Sequence, residues 1–181
     1  MVALAVPTSS PSKLAIRASV LDLSGRPADP FGKAWGKGSV FVFLTVDCPI
    51  SNRYAPVIRQ YYRQYHMKGI GFRLVYPDPG LSASDVRKHL ATFGYVMPAY
   101  RDPAHVLVKQ TGARVTPEVA VFDTSKRLVY HGRIDNKFVT FGQARPAATV
   151  HDLRNVLDAL LAGKSLRPTS AKAVGCYIPG S

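Results

Sequence analysis

Apolar and polar residues alternate through residues 14–23, the two-residue period of a strand with one covered face. A Gly- and Pro-rich connection follows over residues 25–38. Residues 40–46 form an almost unbroken run of β-branched and aromatic side chains, the pattern of a strand covered on both faces. The period then changes. Tyr54, Ile58, Tyr61, Tyr62 and Tyr65 recur at helical spacing, which predicts a helix over residues 49–67, kinked but not ended by Pro56. Its tyrosine stripe is read as helix packing. Residues 71–76 predict another strand. Ser82 with Asp85 three positions later opens a helix in which Val86, Leu90 and Phe93 share a face. A short helix is predicted over residues 104–110, then strands over 118–123 and 127–132 joined by the turn Asp123–Lys126. In the last helix Thr149 is the expected cap, with Asp152 three residues on. Leu153, Val156, Leu157, Leu160 and Leu161 make its stripe and Gly163 its end.

This order predicts an α/β fold in three layers: a central mixed β-sheet, built from a parallel pair extended by an antiparallel hairpin, flanked by helices on both faces. The chain has 181 residues, 46% of them hydrophobic, which suits one domain with a substantial core. The expected organisation is a flexible segment over residues 1–13, a domain over 14–163 and a tail over 164–181. Residues 133–148 exceed an ordinary connection and are a candidate functional loop. No stretch approaches the roughly 18 apolar residues of a membrane span, so the chain is read as not membrane-spanning.

Charge adds a question about partners. The net charge is +13, spread along the chain without a long basic run. Such a balance attracts nucleic acid, anionic envelope polymers or an acidic redox partner. With no zinc-finger spacing and no RNA-binding aromatic motif, the reading is a solvated basic surface without specific nucleic-acid binding. Residues 1–7 lack the basic start and long apolar run of an intact secretion signal, although Ala3-Leu4-Ala5 resembles the end of one.

The two cysteines, Cys48 and Cys176, are too few for a disulfide scaffold and wrongly spaced for a zinc site. Either they act together or neither pairs. Cys48 stands where the strand of residues 40–46 runs into the following helix, and Pro49 suits the first helical position. Unpaired N–H groups and the helix dipole there favour a thiolate, the reactive form of cysteine. The alternative is a buried structural cysteine. Asp47 is the awkward neighbour, since a carboxylate beside the thiol raises its pKa unless it points away or is paired. The five histidines have no metal-ligand spacing and are read as exposed or capping; no metal and no cofactor are expected. Asp135, Asn136 and Arg133 form a polar cluster read equally as loop-structuring or substrate-recognising. Trp35 is read as packing.

Three features resemble the thioredoxin-like superfamily, in its redoxin or alkyl-hydroperoxide-reductase-like branch: Thr45-Val-Asp-Cys48-Pro-Ile-Ser51, Pro56, and Thr116-Pro117 before the strand at 118–123. The resemblance covers residues 14–163. It implies a cis Thr116–Pro117 bond beside the Cys48 sulfur. Two segments, residues 132–136 running on to Arg145-Pro146 and Ala173-Val-Gly-Cys176-Tyr-Ile178, resemble a narrower bacterial group found near c-type cytochrome modules. There the late Gly-Cys-x-Ile segment returns to the active site, which makes Cys176 the candidate resolving cysteine.

Departures bound the resemblance. Ser51 replaces the second cysteine of Cys-x-x-Cys, Phe41 replaces the first proline of the peroxiredoxin motif, and Asn52 replaces the second cysteine of the copper chaperones. The resemblance therefore implies a thiol–disulfide oxidoreductase with Cys48 as nucleophile and Cys176 as resolver. Thr45 and Ser51 would donate to the sulfur or substrate, while Pro49, Thr116, Pro117 and Arg133 would line the substrate site. A thiol peroxidase with the same cysteines, and a non-catalytic domain docking on a cytochrome, are the alternatives. A structural bridge is another, since closing so long a loop stabilises by about 4–5 kcal/mol in the chain-entropy treatment. The expected partners are a protein thiol or disulfide, or a peroxide. The expected location is exported, periplasmic or secreted, rather than cytoplasmic.

Overall fold

The computed structural model describes residues 20–32 and 36–180. The segment over residues 1–13, the start of the first predicted strand and Trp35 lie outside the described residues. In chain order the elements are β1 (Val20–Leu21), β2 (Pro27–Ala28), β3 (Gly38–Phe43), α1 (Pro49–Tyr65), a 3-10 turn (His66–Lys68), β4 (Ile70–Tyr76), α2 (Ala83–Phe93) and β5 (Ala99–Arg101). They continue with α3 (Val106–Thr111), β6 (Val115–Thr116), β7 (Glu118–Phe122), β8 (Leu128–Gly132), β9 (Phe138–Thr140), β10 (Gln143–Ala144), α4 (Asp152–Leu161), β11 (Thr169–Ala171) and β12 (Cys176–Tyr177).

Eight strands form the central sheet in the order β11-β8-β7-β3-β4-β5-β1-β2. The β3–β4 pair is parallel and the β3–β7 and β7–β8 pairs are antiparallel, as the strand order predicts. Every residue of β3 and β4 is buried, because alternate side chains enter two different cores. Val40 and Val42 of β3, with Phe72 and Leu74 of β4, pack with Ile58 of α1, Val86 of α2 and Leu157 of α4. Phe41 and Phe43 face the other way, toward Phe122, Leu107 and Val108 of α3, and Ile178 of the tail. The buried Arg73 also lies on this second face, its guanidinium 5.5 Å from the Phe41 ring centre.

Helix α1 runs unbroken through Pro56, burying Tyr54, Ile58, Tyr61 and Tyr65. Helix α2 has both arms of its capping box: Ser82 Oγ accepts from Asp85 N, and Asp85 accepts from Ser82 N. The start of α4 differs from the sequence expectation. His151 occupies the cap position without a side-chain bond, and Thr149 does not cap. Its hydroxyl instead accepts from Asn136 Nδ2, while Asn136 Oδ1 accepts from the backbone N–H groups of Thr149 and Val150. A buried amide with several unpaired partners nearby outcompetes a local cap. Residues 133–148 carry the β9–β10 hairpin and are tied inward by Asp135, which accepts from Tyr54 of α1.

The tail is fastened twice. Strand β11 joins the sheet edge parallel to β8, where Gly132 allows the approach: a Cβ there would sit 2.0 Å from the Ala171 carbonyl oxygen. Further on, β12 pairs antiparallel with β6, aligning Cys176 with Thr116.

Asn136→Ala removes three hydrogen bonds and leaves two backbone N–H groups unpaired. Its expected cost is about 2–3 kcal/mol of stability, read as a lower urea midpoint with an unchanged m-value.

Candidate active site

Cys48 is the residue on which α1 begins. Its extended backbone (φ −74°, ψ 114°) turns the chain into the helix, Pro49 takes the first helical position, and the Cys48 carbonyl accepts from Asn52 N. The first turn of α1 carries no acidic residue, and the Cys48 side chain makes no cap hydrogen bond, so the positive end of the helix faces the sulfur without a carboxylate to offset it. The side chain is 1% exposed. Its Sγ donates to the Thr116 carbonyl oxygen at 3.1 Å, and the Thr116–Pro117 bond is cis.

Cys176 arrives from the opposite direction, on β12. The β6–β12 pairing brings its Sγ within 2.7 Å of Cys48 Sγ, both as free thiols. Gly175 permits this approach, because a Cβ there would lie 2.1 Å from the Thr116 carbonyl oxygen. Ile178 holds the segment from the far side, with its N–H donating to the Arg114 carbonyl and its side chain buried in the second core.

The sulfurs differ in acidity. For Cys48 burial raises the pKa, but the hydrogen bonds that Cys176 and the backbone and hydroxyl of Ser51 can give a thiolate outweigh it, leaving the thiol more acidic than usual. For Cys176 burial and the neighbouring Cys48 act together and raise the pKa. In the thiol form the buried Ser51 hydroxyl has no hydrogen-bond partner, so a Cys48 thiolate is the acceptor it lacks. The Thr116 hydroxyl is likewise buried and unpaired.

Two expected site residues are engaged elsewhere. The Thr45 hydroxyl donates to Asp47 at 3.2 Å, which pairs that exposed carboxylate. Arg133 pairs with Asp152 at the head of α4 at 2.7 Å, and none of its hydrogen bonds reaches the cysteines. Its cluster with Asp135 and Asn136 structures the loop. Pro49 is exposed on the helix end, beside the pair.

Sequence reasoning missed a buried chain running to this loop. Asn52 Nδ2 donates to the Val46 carbonyl, so Asn52 Oδ1 accepts from His89 Nε2, and His89 Nδ1 accepts from the Tyr76 hydroxyl. Desolvation lowers the His89 pKa, which favours the neutral ring. His89 and His105 are both buried, contrary to the expectation of exposed or capping rings, although His105 also occupies the cap position of α3. A cavity of about 310 Å³ beside His89 is lined by Val46, Lys88 and Phe93, and neither cysteine borders it. Among the described residues no group of three or more His, Cys, Asp or Glu is placed to hold a metal ion, and no helix is long and apolar enough to cross a membrane.

The mixed sheet, the cysteine at the head of α1 and the cis proline facing its sulfur decide the fold. The chain has a thioredoxin-like fold. It is similar over 90% of its length to 90% of a hypothetical protein from Sinorhizobium meliloti, at 24% identity and TM-score 0.73. It also resembles a putative thiol:disulfide interchange protein, DsbE, from Chlorobium tepidum, at 18% identity and TM-score 0.59, over 80% of this chain and 90% of that one. A secreted disulfide oxidoreductase of Mycobacterium tuberculosis matches at 16% identity and TM-score 0.54, over 80% of this chain and 94% of that one. No family model and no curated protein matches the sequence. Within this thioredoxin-like fold the second sulfur comes from the tail, where the helix itself offers Ser51.

Ser51→Ala removes a hydroxyl that favours the thiolate. Alkylation of Cys48 near neutral pH is expected to slow by roughly 3- to 10-fold, about the net worth of one hydrogen bond. Its rate profile should move to higher pH, whereas an unmoved profile would remove Ser51 from the site.

Proposed function

We propose that this protein is a thiol–disulfide oxidoreductase in which Cys48 and Cys176 cycle between a dithiol and an internal disulfide. The carrying observation is the 2.7 Å separation of two sulfurs brought from distant parts of the chain. Their opposite acidities suit the exchange, since one sulfur gives up its proton more readily than the other. In one cycle a target disulfide is reduced to two thiols, and the protein's two sulfurs give up two electrons and bond to each other. Ser51 steadies the charge on Cys48. Thr116 and Pro117 form the wall against which the sulfur packs. Oxidoreductases among the structural neighbours support this reading at the level of the fold.

A thiol peroxidase is the second reading. The enclosure of Cys48 favours it, because a peroxide is small enough to enter where a protein disulfide is not. The binding of Arg133 to Asp152 weighs against it, since that guanidinium, expected at the substrate site, is engaged away from the cysteines where it would orient a peroxide. An exported location, where disulfides persist, and a c-type cytochrome partner extend the proposal through the sequence resemblance.

Alkylation before and after reduction, with peptide mapping, is expected to reveal a reducible Cys48–Cys176 link. Disulfide turnover should vanish in Cys48→Ser and peroxide should not be consumed by the unmodified protein. Peroxide consumption without disulfide turnover would establish the second reading, and two free, slow-reacting thiols would leave a binding domain.

A further inference from the structure

The two sulfurs stand in unequal surroundings. Cys48 is 1% exposed and sits beneath the tail, its sulfur bonded to the Thr116 carbonyl and backed by Ser51. Cys176 is half-buried on a segment whose next residue, Tyr177, is 85% exposed. We propose that outside thiols exchange with this pair at Cys176, and that Cys48 is the sulfur they expel rather than the one they meet. The inference rests on the dithiol–disulfide reading above.

Displacement at a disulfide sulfur runs in line: the incoming thiolate, the attacked sulfur and the leaving sulfur are collinear. Attack on Cys48 needs an approach to a sulfur that is almost fully buried, at the head of α1 beside the buried Ile50 and Ser51. Attack on Cys176 meets a sulfur on a half-buried tail segment that borders solvent at Tyr177. The leaving group agrees with this direction. The thiol of lower pKa leaves faster, and Cys48 is the sulfur whose negative charge the Ser51 N–H and hydroxyl meet.

The electrons balance with a partner dithiol carrying one thiolate and one thiol. The thiolate bonds to Cys176 Sγ, the Cys48–Cys176 bond breaks, and its electron pair leaves on Cys48 as thiolate. The partner's second sulfur then bonds to its first, passing its proton to Cys176 as the mixed disulfide breaks. The partner departs as a disulfide, and the protein holds a Cys48 thiolate and a Cys176 thiol. By microscopic reversibility a target disulfide is reduced through the same mixed disulfide on Cys176. As the Cys176 thiol attacks, its proton passes to the departing target sulfur, and the Cys48 thiolate, to whose sulfur Cys176 already donates, then closes the internal disulfide. This order inverts the nucleophile and resolver roles expected from the sequence.

The test is the position of a trapped adduct. Fully oxidised protein is mixed with limiting reduced glutathione, quenched within the first turnover by a fast alkylating agent, and mapped by mass spectrometry. Glutathione is expected on Cys176 and the alkyl group on Cys48, in excess of the reverse arrangement by roughly tenfold or more. Glutathione found chiefly on Cys48 would overturn the inference and leave the redox pair standing. Oxidised protein with no Cys48–Cys176 link would overturn the underlying reading as well. In the single-cysteine variants, Cys48→Ser should form a glutathione adduct with oxidised glutathione while folded Cys176→Ser resists it; the opposite ranking also counts against the inference.

Discussion

The site depends on one close approach of backbone to backbone. Residue 175 passes so near the Thr116–Pro117 peptide that any side chain beyond hydrogen would overlap the carbonyl, and only then does β12 reach β6. From this contact follow the alignment of Cys176 with Thr116, the meeting of the two sulfurs, and the covering of Cys48. A ladder of two residues is weak by itself. Burial of Ile178, on the order of 2 kcal/mol, and the β11–β8 pairing upstream hold the segment at both ends.

The electrostatic division between the sulfurs follows from which backbone each belongs to. Cys48 heads a helix, where N–H groups lack partners, and it is backed by a hydroxyl that has no other acceptor. Cys176 lies on a strand whose N–H groups are not free in that way, with Cys48 as its neighbour. Asp47, adjacent to Cys48 in sequence, points into solvent and takes the Thr45 hydroxyl with it. The thiolate is thereby spared a buried negative neighbour, and Thr45 is drawn away from the sulfur it was expected to serve.

Long periodic segments were legible in the sequence, because β3, β4, α1, α2 and α4 each bury enough side chains to impose a period. The short strands β2, β5, β11 and β12 were not, since two or three residues carry no period and their pairing is decided by distant neighbours. Thr149 failed as a cap for a similar reason: the local pattern was right, but Asn136, distant from it in the chain, claimed the hydroxyl. A signal for His89 was present and unread. It falls between Val86 and Phe93 on the same stripe, three and four residues from them, a spacing that places it on the buried face. Cys176 beside Cys48 came from resemblance alone, since nothing in the tail's composition announces where it returns. Arg133 was assigned to the substrate site by resemblance, and its side-chain hydrogen bonds run to Asp152.

A second sulfur on a tail strand differs in kind from one placed a turn along the helix. Two cysteines on one helical turn face each other whatever the rest of the chain does. Here Cys176 meets Cys48 only while the tail is docked, so oxidation and docking are thermodynamically linked: whatever favours the docked tail favours the disulfide, and the disulfide favours docking to the same degree. In the reduced state the tail is already in place, which gives Cys176 a high effective concentration at Cys48 and favours the disulfide over two separate thiols. The stapling and redox readings of the pair are therefore two descriptions of one coupling. In the proposed cycle the bond that fastens the tail against β6 would also store two electrons' worth of oxidising capacity, and contacts outside the pair, Ile178 and the β11 edge among them, would set how firmly it is held.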